Sequence, residues 1–172
     1  MSQNRHFTFD RVTSLLSVSA AIAEMPANSL TVAVSGAFDP LHIGNLKCIQ
    51  GASMLKGENG LLVVIVNSDD YCIKKKGYVF MPLEERMELI SALRGVDYVV
   101  SSSEENLSVC DALRVIKPKI FAKGGKHTMG TPLPEAQACQ EIGCSIVYGI
   151  GGKLKLQSSS KLVEDLQTKR EK

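Results

Sequence analysis

Several groups of residues in this sequence could handle phosphate. The densest is the run Gly36-Ala37-Phe38-Asp39-Pro40-Leu41-His42-Ile43-Gly44-Asn45. Gly36 permits a tight turn and a close backbone approach. His42 falls shortly after Pro40, at a helix start, where unpaired N–H groups and the helix dipole favour an anion. His42 and Asn45 are three apart and share a helix face. Gly44 leaves room for a ligand over the first turn. Together they read as a phosphate cradle, distinct from the Gly-x-x-x-x-Gly-Lys-Ser/Thr loop and from Gly-x-Gly-x-x-Gly. The plainer reading of His42 is a helix cap or a core histidine. Asp39 reads as well as a turn-stabilising residue.

Further along lie Lys74, Lys75 and Lys76, which read as a loop ending at Gly77. A charge run of this kind is either solvated surface or a phosphate contact. Arg86 sits early in an acidic helix, where an i,i+4 partner is the ordinary role. Lys123-Gly124-Gly125 closes an apolar run, and its glycines would let backbone approach a base or ribose. Lys153 and Lys155 lie on one side of an extended segment. Ser158, Ser159 and Ser160 then open a helix, which makes either a plain N-cap or a second anion site.

Such residues need a frame. From Leu30 onward, apolar runs at 30–36, 60–70, 96–102, 119–125 and 144–150 alternate with helical patterns at 42–57, 81–95, 105–117, 132–143 and 158–171. Continuously apolar strands are buried on both faces. Their alternation with helices predicts an α/β, Rossmann-like three-layer fold around a five-stranded parallel sheet. Ligands in such sheets bind beyond the carboxyl ends of the strands, where these polar clusters fall. Residues 1–29 differ: an apolar helical pattern at 9–25, then Pro26-Ala27-Asn28-Ser29. They read as an N-terminal helical extension, packed on the 30–172 domain or building a homodimer.

The motifs resemble those of the cytidylyltransferase-like nucleotidyltransferases, whose signature is Gly-x-Phe-Asp-x-x-His-x-Gly-His. The segments VVIVNSDD, PLEERMELISALRGVDYVV and KPKIFAKGG are similar to the adenylyltransferase domain of ADP-heptose synthase. They are less similar to glycerol-3-phosphate cytidylyltransferase, and QSSSKLV resembles the family's C-terminal Ser/Thr motif. The resemblance covers residues 31–166 and implies transfer of a nucleoside monophosphate, AMP by preference, from a nucleoside triphosphate to a phosphorylated small molecule. It implies catalytic roles for His42, Asn45 and Lys75. It places Gly36, Ala37, Phe38, Gly44, Arg86, Lys123, Gly124, Gly125 and Ser158–Ser160 on the nucleotide. It places Asp39, Lys74, Lys76, Lys153 and Lys155 on the acceptor. Asn45 stands where the signature has its second His, and Lys126 where the heptose-type pattern has Asp. Magnesium is expected with the triphosphate. The rival readings are a CTP-dependent enzyme acting on a polyol, amino-alcohol or sugar phosphate, and a non-catalytic nucleotide-binding module.

Composition sets the remaining bounds. A net charge of +2 provides no strong field for nucleic acid or a membrane surface. The five cysteines form no CxxC pair, so reduced thiols and a cytoplasmic location are expected, without a zinc site. No apolar run approaches the roughly 18 residues of a membrane span. Asp10 and Glu24 interrupt the apolar N-terminal stretch, against a secretory signal.

Overall fold

The central strands β1 and β2 are built from apolar, largely β-branched runs. In the computed structural model, which describes residues 11–102, 109–124, 130, 132–152 and 157–170, Leu62 through Val66 have no solvent exposure at all. The elements run α1 (Leu15–Ala23), β1 (Thr31–Gly36), α2 (Ile43–Leu55), β2 (Leu61–Val66), α3 (Asp69–Lys76) and α4 (Leu83–Ser91). They continue with β3 (Tyr98–Ser101), α5 (Cys110–Ile116), β4 (Ile120–Gly124), α6 (Glu135–Glu141), β5 (Ser145–Ile150) and α7 (Ser159–Arg170). The five strands form one parallel sheet in the order β3-β2-β1-β4-β5, with Val32 of β1 beside Leu62 on one flank and Ile120 on the other. The expected α/β Rossmann-like fold is the observed one.

Each face of the sheet has its own core. On one, Ile49 and Ala52 of α2 and Met87 and Ile90 of α4 pack on Val32, Val34, Leu62 and Val64. On the other, Val18 of α1, Leu113 and Ile116 of α5 and Cys139 of α6 pack on Ala33, Val63, Ile65 and Phe121. A buried aliphatic side chain contributes about 1.5–3 kcal/mol, so the alternation of inward residues along each strand holds both helix layers. The chain leaves β1 for α2 on the first face and leaves β4 for α6 on the second. β1 and β4 are neighbours, so a crevice opens between their carboxyl ends.

The extension at 1–29 packs as part of this frame, as far as residues 11–29 are described. Val12 forms a parallel bridge with Val99, Thr13 N–H donates to Val99 O at 3.1 Å, and Val99 N–H donates to Arg11 O at 2.7 Å. These bonds cover the outer edge of β3. Val18 is fully buried against α5 and the sheet.

One element differs from the sequence reading. The polar end assigned to the second strand, and the lysine loop after it, are a single helix, α3. Ser68 Oγ caps it by accepting from Tyr71 N–H at 3.2 Å, Asp69 and Asp70 occupy its first turn, and Gly77 closes it at φ 84°. Lys74, Lys75 and Lys76 form its last turn, where cations meet the negative end of the helix dipole. These start and stop signals are complete, where the sequence reading has a polar strand end to residue 70 and then a loop to Gly77.

Candidate active site

His42 is the N-cap of α2, with an extended backbone at φ −143°, ψ 171°. Its Nδ1 accepts from Gly44 N–H at 3.1 Å and from Asn45 N–H at 3.4 Å. Asn45 Oδ1 accepts in return from His42 N–H at 3.2 Å. This is a reciprocal capping box in which His and Asn take the places usually held by Ser/Thr and Glu/Gln. Because Nδ1 is an acceptor, the neutral imidazole carries its proton on Nε2. With Oδ1 engaged as an acceptor, the donor of the Asn45 amide is Nδ2. Asn45 therefore locks the helix start and, through it, the tautomer of His42.

Gly44 has a different job from the one expected. A Cβ there would stand 2.9 Å from His42 Cε1 and 3.0 Å from Nδ1. The space over the first turn is filled by the His42 ring itself, so glycine is needed for the ring to fold back. The start of α7 lies alongside. A Gly44 Cβ would be 3.4 Å from Gln157 O, and Ser159 Oγ donates to Pro40 O at 3.0 Å.

The loop from β1 into α2 is held from within. Phe38 adopts φ 53°, and its ring is buried against Gly36, whose added Cβ would meet it at 3.1 Å. Asp39 is fully buried and accepts from Phe80 N–H at 3.0 Å and Met81 N–H at 2.7 Å. Its assignment to the acceptor or a metal is corrected: the carboxylate is occupied by backbone amides, the turn-stabilising role. Arg86 is corrected likewise. It is fully buried, and it donates to Met81 O at 2.9 Å, Ala37 O at 2.6 Å, Asn67 O at 2.8 Å and the Asp69 carboxylate. It clamps the ends of β1 and β2 to the start of α4 and has no surface left for a phosphate. Lys76 Nζ donates to Asp39 O at 2.5 Å, which ties α3 to the same loop.

Beyond the strand ends lies a cleft of about 1040 Å³. Gly36 and Ala37 bound it at the end of β1, Lys74–Lys76 on α3, Lys123 at the end of β4 and Ser160 on α7. Lys74 and Lys75 are exposed. The lysines give the cleft a cationic wall, which suits an anionic ligand. His42 and Asn45 lie at the head of α2, beside the start of α7.

The other expected contacts divide. Gly124 admits α2 against the sheet: its added Cβ would lie 2.6 Å from Cys48 Sγ. Of the serines, Ser158 Oγ accepts from Lys161 N–H at 3.3 Å as a cap, Ser159 holds Pro40, and Ser160 faces the cleft. Gly125, Lys153 and Lys155 fall outside the described residues, as does Lys126.

Asn67, at a strand end, lines the cleft, and so do Tyr71 and Glu135, which the sequence reading passes over. Glu135 Oε1 accepts from Lys123 Nζ at 3.0 Å, and that ammonium also sits 4.9 Å above the Phe121 ring. Burial, and then the nearby Glu135 carboxylate, push the Tyr71 phenol up from its ordinary value. The one available signal for Glu135 was its place after Pro134, an ordinary helix start. Among the described residues, no group of three or more His, Cys, Asp or Glu could hold a metal, and no helix is long and apolar enough to cross a membrane.

The cytidylyltransferase-like family model matches residues 33–144. The bifunctional protein HldE of Pelobacter propionicus is 34% identical over 139 residues, covering 79% of this chain and 25% of its own length. The same-named protein of Desulfatibacillum aliphaticivorans is 30% identical over 147 residues, 81% of this chain and 27% of its own. The FAD synthase of Methanopyrus kandleri is 32% identical over 93 residues, 54% of this chain and 61% of its own. The chain thus spans about a quarter of the length of these HldE relatives. In fold it is similar to the lipopolysaccharide core biosynthesis protein from Thermoplasma volcanium, with a TM-score of 0.57 and 24% identity over 70% of this chain and 96% of that one.

Proposed function

The chain belongs to the cytidylyltransferase-like family of nucleotidyltransferases, and from that premise we propose the following reaction. A nucleoside monophosphate, AMP by preference, passes from a nucleoside triphosphate to a phosphorylated small molecule such as a sugar 1-phosphate. Pyrophosphate is released. An oxygen of the acceptor phosphate attacks the α-phosphorus, and the bond to the leaving pyrophosphate oxygen breaks. No covalent enzyme intermediate is needed, and the buried Cys72, Cys139 and Cys144 take no part. Catalysis is then positioning and charge stabilisation.

The observation that carries the reading is the locked His42. Two amides hold its Nδ1, which places the ring proton on Nε2 and fixes the ring at the head of α2. A preorganised donor of this kind stabilises charge as it develops on the transferring phosphate. Lys74 and Lys75 supply positive charge from the cleft wall. Magnesium would enter with the triphosphate, neutralising its oxygens. The described residues build no cage for it, because the Asp39 carboxylate is spent on backbone amides.

The test is a matrix of nucleoside triphosphates against phosphorylated acceptors, read by pyrophosphate release. The same matrix separates ATP from the CTP alternative. In the productive pair, His42→Ala should lower kcat by about 10²–10³ without moving the melting temperature by more than a few degrees. Near-normal turnover in that variant would sink the catalytic role. Absence of pyrophosphate from every pair would favour the non-catalytic nucleotide-binding reading.

A further inference from the structure

Glu135 is 8% exposed and lines the cleft, yet only half of its carboxylate has work. Oε1 holds Lys123, while Oε2 is buried and has no hydrogen-bond partner among the described residues. A buried acceptor left unmatched is unfavourable, more so when it is charged. The Lys123 ammonium does not remedy this, since it is engaged by Oε1 and the Phe121 ring. The last torsion of a glutamate is broad, so the carboxylate can turn an oxygen to the cleft while keeping its lysine.

What would satisfy that oxygen is a donor. A phosphate oxygen is excluded, because a carboxylate repels it. The phosphate of a ligand has Lys74 and Lys75 instead. A hydroxyl fits: it donates one hydrogen bond and carries no charge. We infer that Glu135 is a specificity-determining residue that accepts a hydrogen bond from a sugar or polyol hydroxyl of the phosphorylated ligand. That hydroxyl belongs to the nucleotide ribose or to the acceptor. The inference deepens the nucleotidyl-transfer reading and rests on it for the ligand's phosphate. It implies that ligands lacking the hydroxyl are rejected even when their phosphate is intact.

Equilibrium binding to the full chain tests this without requiring turnover. Two probe pairs differ only in hydroxyls: ATP against 2′,3′-dideoxy-ATP, and ribose 5-phosphate against tetrahydrofurfuryl phosphate. A hydrogen bond to a charged group corresponds to roughly a tenfold or greater preference. The wild type should show that preference in at least one pair. Glu135→Met should reduce it to near unity, and Glu135→Gln should reduce it several-fold. Loss in the first pair assigns the hydroxyl to ribose, and loss in the second assigns it to the acceptor. A glutamate that serves only to pair with Lys123 would weaken both members of a pair equally, leaving the ratio unchanged. That result overturns the inference, as does a wild-type ratio near one in both pairs. Should Glu135→Met fail to fold, the isosteric Glu135→Gln still reads the ratio. Retained discrimination with no pyrophosphate release in any pair would sink the transfer reading and leave the hydroxyl contact standing.

Discussion

Arg86 offers the sharpest separation between a ligand contact and a structural clamp. Arg86→Met preserves most of the side-chain length and removes the guanidinium. In the structure this leaves three carbonyls, those of Ala37, Asn67 and Met81, without the donors they now have. It also leaves Asp69 without its partner, but that carboxylate is 41% exposed and water can replace much of the loss. Each hydrogen bond to a charged group contributes about 1.5–3 kcal/mol. The three do not simply add, because the loop can relax once one is broken. A loss of about 3–5 kcal/mol is expected, the range for breaking a buried charged network. In a domain of this size about 1 kcal/mol moves Tm by roughly 2–4 °C, so Tm should fall by about 6–20 °C. Thermal melts of Arg86→Met and Arg86→Lys, with and without nucleotide, measure it. Lysine cannot reach all four acceptors, so it should recover only part of the loss. A variant with unchanged Tm and a nucleotide KM raised tenfold or more would refute the clamp and restore the phosphate contact.

Three further outcomes follow from the same geometry. Gly44→Ala places a methyl 2.9 Å from His42 Cε1 and should displace the ring; kcat should drop nearly as far as in His42→Ala, with Tm little changed. Gly124→Ala meets Cys48 Sγ at 2.6 Å and should cost about 1–3 kcal/mol by overpacking. Adding Cys48→Ala should recover much of that loss in a double-mutant cycle of denaturant midpoints. Burial, reinforced by Cys139, pushes the Cys144 thiol from 9.0 up to about 12. The folded chain then holds this proton where the unfolded chain has lost it. The stabilisation is complete below about pH 9 and declines between pH 9 and 12. The urea midpoint should fall through that window, and fall less steeply in Cys144→Ala.

The strands and the His42 turn were legible because both rest on local information. Continuous β-branched runs report burial on two faces, and a histidine shortly after Pro40, ahead of a helical pattern, reports a helix cap. The roles of Asp39 and Arg86 were not legible. An acid and a base in that motif look the same whether they meet a ligand or a backbone 41 or 49 residues away. The partners that settle the matter, Phe80 for one and Ala37 for the other, come together only after β1, β2 and α4 have assembled. The α3 helix was missed for a different reason. Its first turn is acidic and its last turn basic, so it has little apolar periodicity to show, and only Cys72 on it is buried. Glu135 could not have been singled out at all. Its distinguishing property is an unmatched oxygen, and that exists only once Lys123 has claimed the other.

The buried clamp and the close-packed glycines serve one purpose, the placement of the head of α2. Gly124 lets Cys48 against the end of β4, and Gly151 brings backbone to the same turn, since its added Cβ would lie 2.7 Å from Cys48 N. Gly51 faces Ile150 at 2.9 Å by the same measure. The middle of α2 is therefore held at backbone distance from the β4 and β5 ends, closer than any larger residue would allow. From the other side, Asp39 and Arg86 hold the loop that enters the helix. Between these constraints, the capping box leaves His42 one orientation. A donor that must meet charge developing on a phosphate needs to be fixed before the reaction begins. Under the proposed reaction, that requirement accounts for glycines and buried ions where a looser site would tolerate other residues. It also accounts for Asn45: in this chain its side-chain oxygen closes the box that fixes the histidine.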